Sequence, residues 1–211
     1  MLKDSFANIK FLELKVQNYS CNLYEEERNL ITKATSKRRN EFSTGRYGIK
    51  QLLKFYGINY FPIKCDQKGM PIFPSGIIGS ISHSDKKCLV AMSTSKEYKS
   101  IGIDVEEYSK LDLSLCRYFL HKSEIEFVNS QITAYQRIMA AVFFSVKEAF
   151  YKMQYSITKS YLGFLDVQVS YIEVGSLQFE LLCDIGIDTD KIKAYYKFDE
   201  DHVYTIVLNE N

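Results

Sequence analysis

Ser100-Ile101-Gly102-Ile103-Asp104-Val105-Glu106 lies at the middle of the chain and reads as a β-strand, because β-branched residues alternate with small and acidic ones. Alternate strand side chains share a face, so Asp104 and Glu106 point one way while Ile103 and Val105 point into apolar packing. Upstream, Cys88-Leu-Val-Ala-Met92 is a second short strand. Gly45 to Tyr56 reads as a helix with Tyr47, Leu52, Leu53 and Tyr56 against polar Arg46, Lys50 and Lys54, and Gly57 ends it. The three prolines, Pro62, Pro71 and Pro74, cluster with Gly69, Gly76 and Gly79 in a turn-rich link. Downstream, Ala134 to Tyr155 reads as a long helix. The runs 167–172, 177–181, 192–198 and 203–208 then alternate with period two, as in an antiparallel meander. The order helix, link, strands thus occurs twice, with a seam near residue 101. The pattern predicts an α+β protein of two similar lobes related by a pseudo-twofold, each a helix packed on a small, mainly antiparallel sheet. The N-terminal lobe is expected over 1–101 and the C-terminal lobe over 102–211.

Composition narrows the function classes. Hydrophobic residues make up 46% of the 211, with 16 Tyr and 14 Phe, which is enough apolar bulk to exclude intrinsic disorder. Basic and acidic residues nearly balance, 27 against 26, so the chain lacks the overall charge of a polyanion binder. No stretch is long and apolar enough to cross a bilayer, and Met1 to Lys10 does not have the pattern of a secretory signal. Five cysteines at wide, irregular spacings without a C-x-x-C argue against a disulfide framework or a thiolate zinc site. They point to a reducing cytoplasm.

Four features could carry chemistry. Asp104 and Glu106 stand about 7 Å apart along one strand face, where they repel unless solvated or neutralised by a hard cation. Both readings are open, because D-x-E triplets are common on solvated strands. Phe144-Ser-Val-Lys147-Glu148-Ala-Phe-Tyr-Lys152 places Glu148 and Lys152 four apart on one helix face. Such pairs are routine on surfaces, but here apolar residues surround much of the helix, and a partly buried carboxylate can bind metal or act as a base. Gly79-Ser80-Ile81-Ser82-His83-Ser84 reads as a polar turn, either merely solvated or suited to phosphate oxygens. Arg28 to Lys54 holds eight basic residues and one acid, Glu41. That suits a multiply phosphorylated ligand or an acidic partner, a nucleic acid, or simply a solvated helix face.

The order of these motifs resembles the 4′-phosphopantetheinyl transferase superfamily, in its larger two-lobed type that activates peptide and polyketide synthetases. The resemblance rests on Gly69-Met-Pro71, Ser82-His83-Ser84, Gly102-Ile-Asp-Val-Glu106 and Phe144-Ser-Val-Lys-Glu-Ala-Phe-Tyr-Lys152. Glu41-Phe42 with Gly45-Arg46, and Pro71 through His83, resemble the enterobactin synthetase component D branch. Arg117-Tyr-Phe119 followed by Glu124 matches the stretch between the two acidic motifs. The likeness covers about Glu41 to Lys152. Phe144 stands where Trp is usual, and Met70 where the surfactin-type branch has Lys.

The resemblance implies the family's fold, with the site at the seam. The activity it implies is transfer of 4′-phosphopantetheine from coenzyme A to a serine of an apo acyl, peptidyl or aryl carrier protein, releasing adenosine 3′,5′-bisphosphate. By resemblance Asp104, Glu106 and Glu148 bind Mg2+ (or Mn2+), and Glu148 also serves as general base. Lys152 stabilises charge on the pyrophosphate. Ser82 and His83 contact phosphate, while Arg46 with the Lys37–Arg39 cluster, Arg39 included, meets the 3′-phosphate. The expected partners are coenzyme A and the carrier, with no nucleic acid, no membrane and a monomeric chain. Two rival readings are an inactive coenzyme A- or carrier-binding module, which would have a damaged acidic trio, and a small RNA-binding module, whose binding would fall steeply with salt.

Overall fold

The computed structural model describes residues 6–211, so the first half of the Met1–Lys10 segment lies outside it. Strand β1 (Lys10–Lys15) is followed by helix α1 (Glu25–Asn29) and helix α2 (Ser36–Phe55). Strands β2 (Ile77–His83), β3 (Lys87–Thr94) and β4 (Tyr98–Glu107) come next, then helices α3 (Lys122–Ser130) and α4 (Thr133–Thr158). Strands β5 (Val167–Glu173), β6 (Ser176–Leu181), β7 (Ile192–Phe198) and β8 (His202–Glu210) complete the chain. They form two sheets, β1-β3-β2 and β4-β8-β7-β6-β5, antiparallel throughout.

Each sheet carries one long helix. In the N-terminal lobe, α2 lays Ile49, Leu52 and Leu53 on Cys88, Val90 and Met92 of β3. In the C-terminal lobe, α4 buries Ala149, Phe150 and Met153 in a core shared with Val203 and Val207 of β8. The sheets meet through Leu89 and Ala91 on one side and Ile101, Ile103, Val105 and Ile206 on the other. The alternation of 167–208 thus becomes the expected meander, with β4 added beside β8. Every ladder partner of β4 lies on β8, so the chain passes from one sheet to the other between Thr94 and Tyr98.

Three local expectations change. The first long helix starts at Ser36, nine residues before Gly45, where Thr35 accepts a hydrogen bond from Arg38 N at 3.3 Å as an N-cap. Its first turns are too polar to show an apolar stripe. The Gly79–Ser84 segment is not a turn: most of it is strand β2, paired residue by residue with β3. Its serines are buried by the opposing lobe, a tertiary context that outweighs their weak strand preference. Strand β1 has no counterpart in the sequence reading. The five cysteines are all unpaired thiols. Among the described residues no helix is long and apolar enough to cross a membrane.

Gly102 decides how close α4 comes to β4. A Cβ there would fall 1.8 Å from Ala149 O and 2.7 Å from Met153 N, so the helix backbone rests directly on the strand. This contact brings Glu148 and Lys152 over Asp104. Gly102→Ala must push the helix away, and overpacking of this kind costs about 1–3 kcal/mol, occasionally more. A denaturant-melt midpoint well below that of the wild type is expected; an unchanged midpoint would refute the close contact.

Candidate active site

Asp104 is only 2% exposed, at the point where β4 meets both β2 and α4. Its Oδ1 accepts from Ser82 Oγ at 2.7 Å and from Lys152 Nζ at 2.6 Å. The same ammonium donates to Ser82 Oγ at 3.0 Å and to Ile103 O at 3.1 Å. Oδ2 is buried without a hydrogen-bond partner among the described residues. Glu106 follows on the same strand face and Glu148 on α4, both half-buried. Burial, then the Asp104 charge, then Glu148 and Asp85 push the Glu106 carboxyl up to about 8, against the opposing pull of Lys152. Burial and Asp104 likewise raise the Glu148 carboxyl, again against Lys152.

The three sequence-predicted carboxylates therefore share one electrostatic field with Lys152 and Ser82. Among the described residues no three His, Cys, Asp or Glu side chains converge closely enough to form a ready metal cage. The donor chemistry nevertheless fits a hard divalent cation. All three groups offer carboxylate oxygens, one such oxygen is buried and orphaned, and two of the groups are starved of counter-charge.

His83 faces the other side of β2. Its Nε2 stands 3.0 Å from Arg38 Nη1 and 3.5 Å from Glu41 Oε2, and burial above all, then the charges of Arg38 and Lys152, lower its pKa against the pull of Glu41 and Asp104. Arg38 is thus the member of the basic cluster that reaches this segment. Arg39 is exposed and donates to Thr32 O at 2.6 Å. Arg46, which sequence reasoning sends to a phosphate, is only 3% exposed. Its Nη2 meets Cys65 Sγ at 2.9 Å, its Nε lies 3.6 Å from Glu27 Oε1, and its guanidinium covers the Phe42 ring. The buried Glu27 claims it, so Arg46 and Arg39 do not join the cluster around Asp104.

Three spaces adjoin these groups. One of about 240 Å³ is lined by Lys37, Glu41, His83, Glu106 and Lys110. Another of about 270 Å³ lies between Gly69-Met70-Pro71 and Tyr151-Lys152. A third, about 190 Å³, flanks Glu148 beside Tyr151, Tyr161 and Phe164. Two larger cavities, of about 430 and 670 Å³, contain none of the candidate residues.

Sequence reasoning missed the partner of Lys147. Lys147 Nζ donates to Glu124 Oε2 at 2.8 Å and to Phe119 O at 2.9 Å, with both side chains 1% exposed. Glu124 also accepts from His121 N and Val169 N, each at 2.7 Å. This pair ties α3 and β5 to the helix turn that carries Glu148. Its only trace in the sequence is a pair of opposite charges 23 residues apart, each in a run that also holds other charged residues.

A 4′-phosphopantetheinyl transferase N-terminal domain model matches residues 26–93, and a 4′-phosphopantetheinyl transferase superfamily model matches residues 100–207, just over half the chain. The chain is 29% identical over 171 residues to 4′-phosphopantetheinyl transferase Npt of Nocardia iowensis, covering 81% of this chain and 76% of that protein. It is 28% identical over 169 residues to 4′-phosphopantetheinyl transferase PptT of Mycobacterium tuberculosis, covering 79% and 73%. Similarity to enterobactin synthase component D of Salmonella typhimurium is 25% over 154 residues, covering 72% and 63%.

The raised Glu106 carboxyl has a consequence for stability. The folded protein holds this proton to about 8, whereas the unfolded chain releases it near the usual 4.5. The folded state therefore binds more protons between those values, and its stability falls as pH rises through that window. Chelator-treated protein should melt at a lower temperature at pH 8 than at pH 5.5, and Glu106→Gln should flatten the slope. Thermal melts across pH, with and without Mg2+, check this; equal slopes for the two proteins would disprove it.

Proposed function

Since this chain belongs to the 4′-phosphopantetheinyl transferase superfamily and transfers 4′-phosphopantetheine from coenzyme A to a carrier-protein serine, we propose roles for its residues in that transfer. The serine oxygen attacks the phosphorus next to pantetheine, and the bond to adenosine 3′,5′-bisphosphate breaks. Such a reaction needs positioning and charge neutralisation more than covalent help from the protein.

Glu148 takes the serine proton, directly or through a water. Support comes from its raised carboxyl, which holds a proton better than an ordinary glutamate does. Lys152 neutralises charge that accumulates on the 5′-phosphate of the departing adenosine 3′,5′-bisphosphate. Its ammonium is already held 2.6 Å from Asp104 and 3.0 Å from Ser82, so it needs little reorganisation. Asp104, Glu106 and Glu148 would hold Mg2+, with Mn2+ as a substitute; when bound, the ion supplies counter-charge and polarises the pyrophosphate. Lys37, Arg38, Arg39 and His83 receive the phosphates at the nucleotide end. Arg46 acts from beneath, fixing α2 to the segment around Cys65.

The observation that carries this reading is the shared field of Asp104, Glu106, Glu148 and Lys152, assembled from two elements of one chain. No second copy is needed to complete it, which supports a monomer. Five unpaired thiols suit a reducing cytoplasm. Incubation with coenzyme A, Mg2+ and a panel of apo carrier proteins, read by intact mass, tests the transfer. A carrier heavier by one phosphopantetheine is expected; coenzyme A binding with no such gain on any carrier would favour the inactive module.

Glu148→Gln keeps the side-chain shape but cannot accept the proton. Single-turnover transfer should fall by about 10²- to 10⁴-fold, with coenzyme A binding retained in part and no rescue by excess Mg2+. A near wild-type rate would remove Glu148 from the mechanism.

A further inference from the structure

The even-numbered residues of β2 and the turn after it present Ser80, Ser82 and Ser84 on one face, and all three are buried. The odd-numbered face looks toward α2, where Ile81 packs and where His83 meets Arg38 and Glu41. Each serine makes a different bond to the other lobe. Ser80 Oγ accepts from Ile103 N at 3.1 Å, Ser82 Oγ donates to Asp104 Oδ1 at 2.7 Å, and Ser84 Oγ lies 3.2 Å from His202 Nε2.

His202 opens β8, is 1% exposed, and has no role in the transfer described above. Ser84 Oγ also accepts from Lys87 N at 3.2 Å, so the hydroxyl bridges the backbone of the turn and the His202 ring. Burial first, then Lys87, lowers the His202 pKa and favours the neutral ring, with Asp199, Glu107 and Asp201 opposing. Nδ1 is buried without a hydrogen-bond partner among the described residues and stands 4.0 Å from Asp199 Oδ1. A buried ring nitrogen left unmet costs stability, which the bond to Ser84 only partly offsets.

We infer that Ser80, Ser82 and Ser84 form a hydrogen-bonding rail that sets the register between the two lobes, and that Ser84 and His202 are positioning residues for the transfer. The inference rests on the transferase reading. A hydrogen bond is lost within a few tenths of an ångström of slippage. Ser84 is two residues from Ser82, and His202 is on the strand that pairs with β4, so the far rung holds the Ser82–Asp104 bond in line. It also fixes the twist of β2 that turns His83 to Arg38. Loss of this rung should degrade the alignment of Asp104 and Lys152 while leaving both side chains, and His83, in the protein.

The test compares Ser84→Ala, His202→Ala and their double variant with Ser93→Ala. Ser93 is a buried serine of the same lobe whose Oγ donates to Asn8 O at 2.7 Å, away from the rail. All variants are assayed for kcat and KM on coenzyme A and carrier, for melting temperature, and for hydrogen exchange of the Ile103 amide. Both rail variants should lose about tenfold in kcat, with a smaller change in KM. The double variant should be no worse than either single one. The Ile103 amide should exchange faster in both, and His202→Gln, which can still bond Ser84, should recover most of kcat. Ser93→Ala should lower the melting temperature and leave kcat unchanged. If the rail variants lose stability but keep wild-type kcat, or if their kcat losses add, the proposal falls. Should the alanine variants not fold, Ser80→Ala and His202→Gln decide. Lowered kcat in Ser80→Ala with near wild-type kcat in His202→Gln upholds the rail; wild-type kcat in Ser80→Ala overturns it. Absence of transfer by the wild-type protein would instead overturn the transferase reading.

Discussion

Strand β4 is the edge of its sheet, and the free edge is where the two lobes join. An edge strand leaves backbone groups that must find partners or water. At Ile103 both groups are met by side chains from other elements: Ser80 Oγ takes the N–H and Lys152 Nζ takes the C=O. The next residue is Asp104. Satisfying the edge therefore fixes in one step the strand, the helix, and the serine strand of the other lobe around the central carboxylate. Gly102 makes this possible, because any side chain there would hold α4 too far away for Lys152 to reach.

The resulting site is electrostatically unbalanced. Lys152 cancels part of the charge of Asp104, but Glu106 and Glu148 remain half-buried beside it with raised proton affinity. Elsewhere in the same helix a buried charge has its partner: Lys147 and Glu124 form a buried ion pair, and each has further backbone bonds. Adjacent residues, 147 and 148, thus serve opposite ends. One is a closed pair that anchors the scaffold, and the other is left short of counter-charge, as a group awaiting a ligand would be.

The sequence was most legible where one element settles the matter by itself. Alternation along 167–208 disclosed the meander, and the Asp104/Glu106 spacing disclosed a shared strand face. What depended on the opposing lobe was hidden. Ser80-Ile-Ser-His-Ser looks like a turn because serines and a histidine carry no apolar alternation, yet the opposing lobe buries them as strand. Arg46 looks like a phosphate ligand because it belongs to a basic run, whereas the buried Glu27, nineteen residues earlier, holds it inside. Arg38 could not be separated from Arg39 without knowing that α2 begins at Ser36 and which of its faces meets β2.

The two lobes solve the same packing problem in opposite ways, and the difference bears on their contributions. In the C-terminal lobe the glycine is on the strand, so the helix keeps its side chains and brings Glu148 and Lys152 down over β4. In the N-terminal lobe the glycines are on the helix. A Cβ at Gly48 would lie 2.7 Å from Val90 Cγ2, and one at Gly45 would lie 3.3 Å from Ile81 Cγ2. There the helix sits close by giving up side chains on its inner face, and its functional groups are displaced toward its first turns, where Lys37 and Arg38 rise at the rim beside His83. The two helix-on-sheet units, one on three strands and one on five, thus differ in the charges they present. The C-terminal lobe brings Asp104, Glu106 and Glu148 with Lys152, while the N-terminal lobe brings Lys37 and Arg38 beside His83.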